Sequence, residues 1–135
     1  LPDDTAPDDV TAALAERTKD LRLPAFQVGA TGLWALHGVT VAGRSPEAEA
    51  TLRAARDTLR EATGLRPPGF ERYVFHITLC YLRQWLTDGT ARDVLAFNDA
   101  LYAEHAEALA EIPLDPCAFC RFETMHAFTP LQVLA

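Results

Sequence analysis

No apolar run in the 135 residues approaches the length of a membrane-spanning helix. The opening residues Leu-Pro-Asp-Asp carry neither the basic start nor the apolar segment of a secretory signal. An initiator methionine is also missing, so the expectation is a processed or truncated piece of something longer. Positive charge is scarce. Twelve Lys and Arg against nineteen Asp and Glu leave a net charge of −7, which argues against extended binding along a nucleic-acid backbone. A small site that takes one phosphate needs only a few local arginines and stays open. Three cysteines, an odd number without a secretory signal, do not make a disulfide framework and point to a reducing compartment. The expected location is therefore the cytoplasm, with no membrane partner.

What is present is enough to fold. Hydrophobic residues make up 49% and charged residues 23%, values of an ordinary globular chain. The length suits a single domain, 1–135, with one core. Residues 1–7 read as an acidic lead-in. Asp8 or Asp9 is placed to cap a helix to about Leu21, with Val10, Ala13 and Leu14 as its apolar side and Pro24 as its stop. Two strands follow, Ala25–Ala30 and Leu33–Val41, with a turn at Thr31-Gly32. Ser45 as N-cap, Pro46 at the first helical position and Glu47 and Glu49 in the first turn start a second helix. Its stripe is Ala48, Leu52, Ala55, Leu59 and Ala62, and Gly64 ends it.

Arg66-Pro67-Pro68-Gly69 then forms a loop. The Thr87–Thr90 cluster opens a third helix to about Ala110, with Val94, Leu95, Phe97, Leu101, Tyr102, Ala108 and Leu109 as its buried side. Strands are expected at Pro116–Phe122 and Pro130–Leu134. The pattern predicts an α+β fold, an antiparallel sheet with helices packed on one face.

The richest stretch is Tyr73-Val74-Phe75-His76-Ile77-Thr78-Leu79-Cys80-Tyr81-Leu82. Read as one strand, it places Tyr73, Phe75, Ile77, Leu79 and Tyr81 on a core-facing side. Arg72, Val74, His76, Thr78 and Cys80 fall on the other. An imidazole and a hydroxyl then lie about 7 Å apart along the strand, close enough for one phosphoryl group to touch both.

His76-Ile77-Thr78-Leu79 has the form His, hydrophobic, Ser/Thr, hydrophobic. With the preceding helix Ser45–Thr63, the proline-glycine loop and the terminal stretch Pro116–Leu131, it resembles the 2H phosphoesterase superfamily. That group contains the 2′–5′ RNA ligase-like and cyclic phosphodiesterase proteins, and the match is to an uncharacterised branch of it, from about Pro24 onward. The resemblance implies one lobe or more of a bilobal fold in which two such motifs face each other. It implies His76 as general acid or base and Thr78 as donor to the phosphoryl oxygens. The substrate it implies is a 2′,3′-cyclic phosphate or a 2′–5′ linkage in a nucleotide or RNA end. No metal or other cofactor is implied, and histidine, titrating near neutrality, suits either proton-transfer role.

One departure stands out. His37-Gly38-Val39-Thr40 and His126-Ala127-Phe128-Thr129 hold the hydroxyl three residues on, which in a strand puts it on the opposite face. The resemblance places His76 in the second motif, so the first is expected in an N-terminal lobe or in a second chain. The residues allow a C-terminal portion of an enzyme, a half that pairs with another chain, or a non-catalytic domain that binds a nucleotide or a protein.

Arg72 and Tyr73 are candidate substrate contacts; the competing reading is a solvated arginine and a core or rim aromatic. Tyr81 is likewise expected at the core or rim, and Trp34 and Trp85 in core or edge packing. Cys117 and Cys120 are read as buried free thiols rather than, with Cys80 and His126, as a zinc site. His105 is expected on the solvated side of its helix.

Overall fold

The computed structural model describes Pro2, residues 4–34 and residues 37–135. Leu1 and Asp3 of the acidic lead-in, and Ala35 and Leu36 within the expected second strand, lie outside the described residues. The element order is α1 (Pro7–Thr18), β1 (Phe26–Trp34), β2 (Gly38–Gly43), α2 (Pro46–Thr63), a 3₁₀ turn (Phe70–Arg72), β3 (His76–Thr78), α3 (Asp88–His105), β4 (Ile112–Leu114), β5 (Ala118–Thr124) and β6 (Ala127–Val133). A four-stranded sheet in the order β3-β2-β1-β4 and a two-stranded ladder β5-β6 give the α+β class. The pairings β1–β2, β2–β3 and β5–β6 are antiparallel. Among the described residues no helix is long and apolar enough to cross a membrane.

The chain forms two compact units. One holds Leu1–Phe26, Thr51–Pro68 and Leu114–Ala135; the other holds Gln27–Ala50 and Gly69–Pro113. In the first, Leu23, Phe26, Leu52, Ala55 and Leu134 are buried. Its ends are stitched by hydrogen bonds. The Leu23 amide donates to the Leu134 carbonyl at 2.7 Å, and Gln132 Nε2 donates to the Thr18 carbonyl at 3.0 Å. α1 starts earlier than expected. Ala6 is its N-cap without a side-chain bond, Pro7 opens the first turn, and Asp8 and Asp9 stand within that turn, where the helix dipole favours them.

The second unit carries the four-stranded sheet. The expected turn at Thr31-Gly32 is instead a bulge inside a continuous β1. Ala30 pairs with Val41 and Gly32 with Thr40, so Thr31 is the extra residue. The chain reverses after Trp34, where the His37 amide donates to the Trp34 carbonyl. Alternation along β2 buries Val39 and Val41 on one face. α3 covers this face: Tyr102 Oη donates to the Ala30 carbonyl at 3.0 Å, and Leu101, His105 and Leu109 line a hollow with Leu33, Val39 and Leu79.

Residues of α3 spaced by three and four, Val94, Asn98 and Leu101, mark its inner stripe, and Asn98 is buried. Leu95 and Phe97 were expected inside, yet both are more than half exposed. The apolar arc of this helix is wider than a sheet this narrow covers. α3 also stops at His105, short of Ala110, and the chain then supplies the unforeseen strand β4.

The start of α2 matches its sequence signal. The Ala48 amide donates to Ser45 Oγ at 3.1 Å. The Ser45 hydroxyl also bonds the Glu47 carboxylate and holds its pKa below the usual value. Immediately before it, Gly43 lies so close to the Ala48–Glu49 backbone that a side chain would collide, and its amide donates to Glu49 Oε2 at 2.8 Å. Ser45→Ala should therefore cost about 0.5–2 kcal/mol in denaturant unfolding, the usual loss of an N-cap, whereas Ser45→Asp should retain most of the stability.

Candidate active site

Thr40 pairs with His76, Val39 with Ile77 and Gly38 with Thr78, and directly opposed residues share a face. On β1, Gly32 faces Thr40 and Trp34 faces Gly38. Two rows therefore cross the sheet on the side away from Val39. One is Gly32, Thr40, His76; the other is Trp34, Gly38, Thr78. Trp34 and Thr78 are thus two strand spacings apart, roughly 9–10 Å, and the space a side chain at Gly38 would take between them is filled by the Ile77 carbonyl and the Thr78 backbone.

His76 and Thr78 are thus side by side on one face, as the alternation predicted, with the imidazole half-buried and Thr78 exposed. The ten-residue strand expected around them is only three residues long. Tyr73, Leu79 and Tyr81 are all at least 38% exposed rather than core-facing. Their expected burial fails because the chain leaves the ladder on either side of β3. After Thr78 the Leu79 and Cys80 amides both turn to the single carbonyl of His37, at 2.8 and 3.2 Å.

Arg72, a candidate phosphate contact, belongs to the 3₁₀ turn and is exposed, so strand alternation does not place it beside His76. Tyr73 does come to His76, its ring centroid 5.9 Å away, while its edge meets Phe75 at 5.4 Å.

The orientation of the imidazole is decided by one bond. His76 Nδ1 lies 3.1 Å from the Val74 carbonyl, which can only accept, so Nδ1 carries the proton. In the neutral ring Nε2 then holds the lone pair. Trp34 meets the same ring edge-on at 6.1 Å.

Thr40, opposite His76, is already committed. Its hydroxyl donates to the Gly32 carbonyl at 3.1 Å and accepts from Thr31 Oγ1 at 2.9 Å. Thr78 is therefore the better placed donor to a ligand. His37 turns its ring into an aromatic group, edge-on to Trp34 at 5.5 Å and to Tyr81 at 5.3 Å. That group was missed in the sequence, where Trp34, Tyr81 and Trp85 read as packing residues. Trp34 is 55% and Trp85 95% exposed. The spacing of Trp34 from His37 across a short reversal was the available signal.

Cys117 and Cys120, expected to be buried, are half-buried, and Cys80, expected on the side of its strand away from the core, is exposed. Among the described residues no three His, Cys, Asp or Glu side chains gather as a metal would require. Burial pushes the Cys117 thiol above its ordinary pKa, so less thiolate is present near neutrality. A thiol-directed alkylating agent at pH 8 should modify Cys80 first and Cys117 last, as read by peptide mass mapping over time.

Gly38 sets the distance between β2 and β3. A Cβ there would stand 2.6 Å from the Ile77 carbonyl oxygen, whereas one at Gly32 meets nothing nearer than Thr40 Oγ1 at 3.6 Å. Gly38→Ala is expected to destabilise by about 1–3 kcal/mol through overpacking. Gly32→Ala should stay within about 0.5 kcal/mol of the parent. Equal losses in the two variants would show that the close approach at Gly38 is not what holds β3.

No protein-family model matches the chain, and no curated protein matches it. It is similar along 100% of its length to a conserved protein of unknown function from Agrobacterium tumefaciens str. C58, known from a crystal structure, with a TM-score of 0.91 and 33% sequence identity. The chain spans 58% of that protein's length.

Proposed function

We propose that this chain is the part of a 2H-type phosphodiesterase that carries one of its two histidine motifs. The reading assigns a metal-independent hydrolysis of a 2′,3′-cyclic phosphate, or of a 2′–5′ linkage, in a nucleotide or RNA end, within the cytoplasm. The observation that carries it is the bond from His76 Nδ1 to the Val74 carbonyl, which leaves Nε2 to handle a proton beside the exposed Thr78 hydroxyl.

In this mechanism water attacks the phosphorus of the cyclic ester. One imidazole takes the water proton as the P–O bond forms, and a second imidazole protonates the departing ribose oxygen. His76 fills one of these roles. The Thr78 hydroxyl donates to a phosphoryl oxygen where negative charge grows. The second histidine is assigned to a lobe outside these residues or to a second chain, since His37 is engaged with Trp34 and Tyr81 and lies three residues from Thr40.

A second reading has its own support. The chain contains a single His-x-Ser/Thr pattern, which favours a domain that binds a nucleotide, or a partner protein, without turning anything over.

The test is hydrolysis of a nucleoside 2′,3′-cyclic phosphate by the full-length protein. His76→Ala should lower kcat by about 10²–10⁴-fold. Thr78→Ala should lower it by about 10²–10³-fold, with Thr78→Ser retaining most of the rate. A His76→Ala protein as fast as the parent removes His76 from the mechanism. Tight binding of the ester by the parent with no turnover selects the binding reading.

A further inference from the structure

The sequence has two tryptophans, and both line the same hollow. Trp34, His37, Tyr81, Leu82 and Trp85 enclose about 390 Å³, within the size range of small-molecule sites. A contiguous cluster of exposed aromatic side chains marks an interaction or ligand site, whereas a singly exposed one does not. Here Trp85 is 95%, Trp34 55% and Tyr81 46% exposed, and all three face one cavity. His37 sits between two of them, edge-on to Trp34 and to Tyr81.

The hollow adjoins the histidine pair. Trp34 lines it and also meets the His76 ring at 6.1 Å, and Thr78 lies across Gly38 from Trp34 in the sheet. A molecule whose phosphoryl group lies on His76 and Thr78 has this cavity within reach of an attached ring, past Trp34.

We infer that Trp34, Tyr81 and Trp85 form a stacking subsite for the planar base of a nucleotide whose phosphodiester is held at His76 and Thr78. The inference rests on the phosphodiesterase reading for its substrate class and adds which residues hold the base. Among the described residues that line the cavity there is no Asp or Glu, the counter-charge that would favour a cationic headgroup over a neutral ring. Their polar side-chain groups are the two indole N–H groups, the His37 ring nitrogens and the Tyr81 hydroxyl. Stacking without a fan of directed hydrogen bonds tolerates any base and favours the larger purines.

Because both tryptophans border the cavity, intrinsic fluorescence reports its occupancy directly. Adenosine 3′-monophosphate should quench the full-length protein, uridine 3′-monophosphate should bind more weakly, and ribose 5-phosphate should leave the signal unchanged. Trp85→Ala, at a position with almost no packing to lose, should weaken the adenosine nucleotide about 5- to 150-fold with Trp34 as the remaining reporter. Its thermal midpoint should match the parent.

Ribose 5-phosphate binding as tightly as the adenosine nucleotide, or a Trp85→Ala protein with unchanged affinity, overturns the subsite. Quenching by phosphocholine in preference to adenosine 3′-monophosphate overturns it as well. The two readings separate cleanly. Adenosine quenching of the His76→Ala protein supports the stacking subsite whatever the hydrolysis assay gives. Hydrolysis that depends on His76 without any such quenching keeps the enzyme and removes the subsite.

Discussion

Three antiparallel residue pairs between β2 and β3 hold the site together. They bring His76 opposite Thr40 and Thr78 opposite Gly38, and they make the sheet face rather than one strand the working surface. The contact is tight at Gly38, where the absence of a side chain lets the Ile77 carbonyl come in. The apolar residues of these strands, Val39 and Val41, fix which way the polar row faces, since a slip of one residue would exchange the two sides.

Much of this was legible in the sequence, for reasons that can be named. The α2 boundaries follow from Ser45, Pro46 and Gly64, because caps and a left-handed terminal residue act locally, and Gly64 has a φ of 75°. The shared face of His76 and Thr78 follows from period-two alternation alone. Three things did not show. The bulge at Thr31 depends on pairing with β2, and Thr31-Gly32 reads equally well as a turn. The length of β3 does not follow from β propensity: β2 continues to Gly43 and the Val41 amide still donates to the Phe75 carbonyl, yet the ladder holds only three pairs. The exposure of Trp34 and Trp85 cannot be read from their residue type, which is compatible with a core or a surface hollow.

Charge and geometry divide the labour here. With a net charge of −7 the chain as a whole does not draw an anionic ester toward itself, since long-range steering by its mean field is unfavourable. On the proposed reading, recognition of such an ester rests on short-range contacts, a hydroxyl, an imidazole and ring faces. The clustering of Tyr73, Trp34, His37 and Tyr81 around the histidine pair fits that division. Contacts of this kind are also less sensitive to salt than an arginine cluster would be.

The bond from His76 to the carbonyl of Val74 spans only two residues of chain. An anchor so local narrows the rotamers open to the imidazole once the backbone of this segment is fixed. The ring accordingly has less rotational freedom to surrender on meeting a ligand. Such preorganisation belongs to the segment itself, whatever structure comes to face it.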